Sequence, residues 1–255
     1  MYFTPDQIAD LRVGLAEIQP KLSALRERLV LYPFQTPGAR EHADHGLTRR
    51  LGTLARCIER TFELLPPDLD EIPEREQTLD AAINIQAFVV TAFGCCENIA
   101  WIWVYDRGVH RPNGQPLTAS QVGLGPNYPL VRNSLTPGFV AYLDQRADWF
   151  EQLKDYRDAL AHRIPLYIPP FTLNPNDANR YQALELDATR ALRAHDFEGY
   201  ERLTAERDAL TRFQPIMAHS LVAQGHIVVF HYQLLADFGT IEEMVGVLFN
   251  ELAYP

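Results

Sequence analysis

Residues 81–105 read AAINIQAFVVTAFGCCENIAWIWVY, and no other stretch limits the fold as much. No alternating strand pattern runs through it, and apolar side chains fall on nearly every face of the helix it would form. Such a helix must be covered by other parts of the chain or by lipid. Asn84, Gln86, Glu97 and Asn98 interrupt the run, and the uninterrupted core of residues 87–96 is too short to span a bilayer. The expectation is a central helix over about 74–105, wrapped by other helices and not embedded in a membrane.

The rest of the pattern supplies the wrapping. Thr4-Pro5-Asp6-Gln7 is a capping box with proline at the first helical position. Ile8, Leu11, Ile18, Leu22, Leu25 and Leu29 then recur at helical spacing to about residue 31. A second helix is expected over about 40–65, stopped by Pro66-Pro67. Thr136-Pro137 opens another, with Val140, Leu143, Phe150, Leu153 and Leu160 inward, ending at Ile164 because a residue before proline disfavours helical geometry. A charged helical insertion over 177–213 is expected to project from the core. An apolar helix over 215–238 follows, and the box Thr240-Ile241-Glu242-Glu243 opens the last one. Two stretches, 106–134 and 165–176, show no period, and loops as long as the first are uncommon unless functional. The reading is a single all-α domain over 1–255, an elaborated bundle of about seven helices with two long irregular loops.

Composition removes several function classes. The formal net charge of -10 gives no long-range attraction for nucleic acid, although an arginine-lined cleft can coexist with an acidic exterior. Three cysteines, two of them adjacent in the apolar run, fit neither a disulfide framework nor a zinc site. They predict buried, inert thiols in a reducing cytoplasm. The opening MYFTPDQIADL lacks the basic and apolar regions of a signal peptide. There is no Walker loop, HExxH, GxSxG or EF-hand loop, and no Glu-x-x-His of a di-iron bundle. His42 and His45, flanking Asp44, are the remaining metal candidates, against the plainer reading of a solvated helix start. His226 and His231 read as core or interface histidines. No metal and no cofactor are expected.

The segment YRDALAHRIPLYIPP, residues 156–170, is where chemistry concentrates. Four Arg/His pairs share a separation of four to six residues: Arg40/His45, Arg157/His162, Arg190/His195 and Arg212/His219. Only Arg157/His162 combines an amphipathic helix, a polar neighbour in Asp158, a preceding tyrosine and a sharp proline exit. YRDALAHR resembles the motif of the HEPN superfamily, all-α bundles whose catalytic members are metal-independent endoribonucleases. The resemblance implies Arg157, His162 and Asp158 as catalytic residues. It also implies Glu97 and Asn98 as the acidic or polar group near the motif, with Tyr156, Arg163 and Tyr167 as candidate binding residues. It further implies RNA or a nucleotide as ligand, a homodimer with the motifs facing each other, and a toxin or phage-defence setting with a possible antitoxin partner.

Elementary chemistry fits that role. A histidine in a last helical turn meets free carbonyls and the negative end of the macrodipole, both favouring imidazolium. Arginine donates two hydrogen bonds to a phosphate and stabilises charge building on phosphorus. Five residues turn a helix through about 500°, so Arg157 and His162 point about 140° apart. They converge if the last turn unwinds, if Arg157 reaches round, or if two protomers supply them jointly. Two readings without catalysis stay open. In one, Arg157 pairs with Asp155, Asp158 or Glu97, His162 caps carbonyls, and residues 167–170 form a strap over the core. In the other, the fold is a helical interaction or nucleotide-sensing module.

Overall fold

The structure is a computed structural model that describes residues 2–219 and 227–253. The helices are α1 (Pro5–Leu31), α2 (Pro37–Glu41), α3 (Thr48–Leu64), α4 (Arg75–Asp106) and α5 (Pro129–Arg132), then α6 (Pro137–Asp144), α7 (Ala147–His162), α8 (Ala178–Arg193), α9 (Phe197–Asp208) and α10 (Phe230–Leu252). Two short antiparallel pairs accompany them: β1 (Thr172–Leu173) with β2 (Thr211–Arg212), and β3 (Ile216–Met217) with β4 (Val228–Val229). The fold is all-α, as expected. Ten helices are described against about seven foreseen: α2 and α5 are short, the regions 136–164 and 177–213 each hold two, and the last two expected helices become one, α10.

α4 is the centre. It packs against α3, α10, α7 and α2, and Phe88, Ala92, Cys95, Ile99 and Ile102 are sealed inside. By length and composition it could cross a membrane, yet 67% of its most apolar window is buried against the bundle. Leu79, Ile83, Val90 and Tyr105 remain exposed along one outer stripe. α1 starts at the Thr4 box, where Thr4 Oγ1 accepts from the Gln7 amide and Gln7 Oε1 from the Thr4 amide. It lies on α3 and α10 through Leu11, Leu22 and Leu29, side chains whose burial is worth about 2 kcal/mol each.

The second expected helix begins earlier, at Pro37 under a Thr36 cap, and contains a π-helical turn, His42–Leu47, between α2 and α3. Glycines explain the wide turn. A Cβ on Gly46 would run into the Asn98 amide, and one on Gly38 into the Tyr105 ring. α4 thus presses large side chains into notches that only glycine leaves open.

Three expectations need correction. The helix over 136–164 is broken after Asp144, because Arg146 folds over the Tyr142 ring at 3.7 Å and pairs with Glu243 of α10. The segment 215–238 is not one helix: Ile216 pairs with Val229 and Met217 with Val228, as β-branched side chains favour. His226 lies outside the described residues. Thr240 caps nothing, since its hydroxyl donates to the Ala236 carbonyl at 2.9 Å and α10 runs straight through.

The long segment 106–134 is anchored by buried Leu117, Val122, Leu124 and Val131. The strap expected over 167–170 starts a residue earlier: Leu166 and Ile168 are buried, Gln86 holds the Leu166 carbonyl at 2.7 Å, and Tyr167 exchanges backbone bonds with Ala218. α8 and α9 form a hairpin whose helices pack mainly on each other.

Candidate functional site

α7 stays helical to His162, with Arg163 as its C-cap, so no terminal turn unwinds to bring Arg157 and His162 together. Asp158 feels the charge of both. Lys154, Asp158 and His162 are spaced four apart and share one face. Lys154 Nζ lies 2.9 Å from one Asp158 oxygen and Arg157 Nη1 2.8 Å from the other. Burial by itself would raise the Asp158 carboxyl. The Lys154 hydrogen bond and the charges of Arg157, Lys154 and His162 outweigh it and hold the group below its usual range. His162 is exposed and free to meet a ligand.

Arg157 leans the other way. Its guanidinium covers the Phe93 ring of α4 at 4.3 Å, and its Nε is buried with no hydrogen-bond partner among the described residues. There it forms part of the wall of a cavity of about 430 Å³, a size suited to small ligands. α4 contributes Phe93 and Glu97, and α7 contributes Phe150, Glu151, Lys154 and Arg157. The third wall is residues 122–128 of the long loop, where the Tyr128 ring occupies the space a Cβ on Gly123 would need. Two cations, two carboxylates and two phenyl rings therefore face one space.

The other sequence candidates are dispersed. Glu97 joins Arg157 at the cavity. Asn98, one residue on, points about 100° further round α4, where its Oδ1 takes the Arg50 Nε–H at 2.9 Å and its amide nitrogen reaches His42 Nδ1 at 3.1 Å. Tyr156 is buried in the core, with its hydroxyl accepting from Gln152. Arg163 turns back to the Asp155 carboxylate and carbonyl. Tyr167 serves the strap through its backbone. His42 and His45 diverge, His42 towards Asn98 and His45 towards Arg49. No cluster of three or more His, Cys, Asp or Glu side chains forms among the described residues.

Sequence reasoning missed His219. It is 5% exposed, and its Nε2 stands 3.0 Å from Asp155, whose carboxyl is held low first by the Arg163 hydrogen bond and also by His219 itself. The spacing of Arg212 and His219 could not flag this contact, because it depends on the β3–β4 pairing. No protein-family model, curated protein or solved structure matches the chain.

Proposed function

We propose that the protein acts on RNA at the end of α7, as a metal-independent endoribonuclease of the HEPN kind. The observation that supports this best is Asp158, which pairs with Arg157 and Lys154 one helical turn before the exposed His162, beside a cavity of ligand size. In this reaction the ribose 2′-oxygen attacks phosphorus and the 5′-oxygen leaves, giving a 2′,3′-cyclic phosphate. His162 takes the 2′-hydroxyl proton, and Arg157 and Lys154 stabilise charge on the phosphorane. The leaving oxygen takes a proton from a second imidazole, which a second protomer's His162 supplies in a homodimer.

A second reading is favoured by one geometric fact: Arg157 lines the cavity and His162 does not. A nucleotide-sensing module needs the first property alone. Mixed RNA incubated with the protein in EDTA separates the two. Cleavage that survives EDTA and disappears in His162→Ala and Arg157→Gln, both still folded by circular dichroism, supports the nuclease. Intact RNA together with nucleotide binding lost only in Arg157→Gln rejects cleavage and supports sensing.

A further inference from the structure

Arg157 is not alone on the middle of α4. Phe93 carries its guanidinium, and the next residue, Gly94, carries that of Arg50 from α3, which fills the space a Cβ would take. Arg50 Nε is committed to Asn98, while its two terminal nitrogens have no hydrogen bond or ion pair among the described residues. Two guanidiniums from different helices therefore rest on successive residues of one turn. Glu97 follows on the same outer face, with its carboxylate unpaired among the described residues.

Further along α4 three rings gather. His42, Trp101 and Tyr105 lie with centroids 5.3 to 5.5 Å apart and planes within 26° of parallel. Tyr105 is 40% exposed and Trp101 is partly open. The hydrogen bonds fix the state of His42. Arg50 Nε can only donate, so Asn98 turns its oxygen to it and its NH₂ to His42 Nδ1. That nitrogen must accept, so the proton sits on Nε2 and the ring is neutral, as its burial also favours. The result is an uncharged platform of three offset, near-parallel rings, on the same helix that carries the two cations.

The geometry points to a single-stranded RNA path that leaves the Arg157 cavity, passes over the Arg50 guanidinium where it covers Gly94, and stacks its bases on Trp101 and Tyr105. This rests on the RNA reading of the α7 end. Cations that track phosphates, alternating with open aromatic faces, are the general means of holding single strands without sequence preference. The eleven helical steps from Gly94 to Tyr105 span about 17 Å, long enough to engage nucleotides beyond the scissile step. A duplex is not expected there, because its bases are not free to stack on protein rings. Glu97, between the cations and the platform, faces the amino groups of bases and not the backbone.

The test is fluorescence anisotropy with a labelled oligouridylate of about twelve nucleotides, a length typical of single-strand sites, with UMP as a competitor confined to the cavity. Arg50→Gln, which keeps the Asn98 hydrogen bond, and the surface change Tyr105→Ser are each expected to weaken the oligonucleotide about tenfold. UMP affinity stays unchanged in both. Arg50→Gln also lowers the slope of log affinity against log salt by about 0.7, the value for one lost phosphate contact on a single strand. Oligonucleotide binding that depends on Arg157 but is indifferent to Arg50 and Tyr105 overturns the path and leaves the RNA reading standing. No binding of the oligonucleotide by the wild-type protein overturns both.

Discussion

Two buried groups on α10 are set against each other by pH, and their opposition can be measured. His231 is fully buried, with Nε2 2.7 Å from the Leu65 carbonyl and the Phe62 ring edge-on at 4.7 Å. Burial pulls its pKa down to about 4, against the partial support of that carbonyl. Asp237 is 5% exposed and is pushed up to about 6 by burial, although Trp149 and Gln233 both donate to it. On acidification the unfolded chain protonates the histidine near 6.5 while the folded chain resists until about 4. At about 1.4 kcal/mol per tenfold difference in proton affinity, this removes about 3 kcal/mol of stability across that window. Asp237 works in reverse. Its folded form takes up a proton near 6 and its unfolded form near 3.8, so acidification through that window returns about 3 kcal/mol. The wild-type protein should therefore show little net dependence from this pair between pH 7 and pH 4.5. Asp237→Asn keeps both donors supplied with an acceptor and leaves His231 unopposed, so urea unfolding should show stability dropping by about 2–3 kcal/mol more than wild type over that range. His231→Gln, which still donates to Leu65, should show the opposite slope. If the Asp237→Asn and wild-type curves run parallel to within about 1 kcal/mol, the two groups do not titrate as their burial demands.

Gly46→Ala should destabilise the protein by about 1–3 kcal/mol in a thermal melt, because the new methyl strikes the Asn98 amide and nothing nearby can retreat cheaply. The three cysteines are free and buried; burial raises Cys57 to about 11, Cys95 to about 12 and Cys96 well above its ordinary value. Native protein should accordingly ignore a thiol reagent at pH 8, with three equivalents reacting only in denaturant. Thr136→Ala loses both the α6 cap and the bond to Glu251 of α10, and a cost of about 1–2 kcal/mol is expected in urea unfolding. Asp196→Ala strips the cap of α9 and should cost about 1 kcal/mol. Hydrogen exchange should register that loss in the α8–α9 hairpin alone.

The helices read most directly from sequence are those whose signals are local and agree. Thr4 with Gln7 combines a start signal with one dominant period, and the apolar run behind α4 is long enough that its four polar interruptions do not break it. The readings failed where partners lie far apart in the chain. Thr240 satisfies the pattern of a cap, yet it sits in the interior of a helix whose burial by α4 outweighs any local break. Val228 and Val229 look as helical as strand-like until Ile216 and Met217 are beside them. The break at Arg146 depends on Glu243, nearly a hundred residues on. The candidate site divides in the same way. Lys154, Asp158 and His162 are neighbours by helical spacing and could be read off. Arg50 on Gly94, the loop wall at Tyr128 and the contact between His219 and Asp155 are long-range. The placement of Glu97 and Asn98 on different sides of α4 follows from the 100° step between consecutive helical residues, but which side carries which neighbour is a matter of packing.

The π turn at His42–Leu47 has a consequence for how the chain tolerates changes of length. A π turn holds one more residue than the α turn it replaces. Deleting one residue there could restore a continuous α-helix from Pro37 to Leu64 with every backbone bond satisfied. Because that turn already fits its extra residue into one revolution, the deletion would leave the helices on either side in phase. Gly38 would stay against the Tyr105 ring, and Arg40 would keep the carbonyls of Val30 and Tyr32 that it holds at the end of α1. One residue removed from within α3 would instead rotate everything before it by about 100°, so a one-residue deletion in the π turn should be far better tolerated than one a few residues further on.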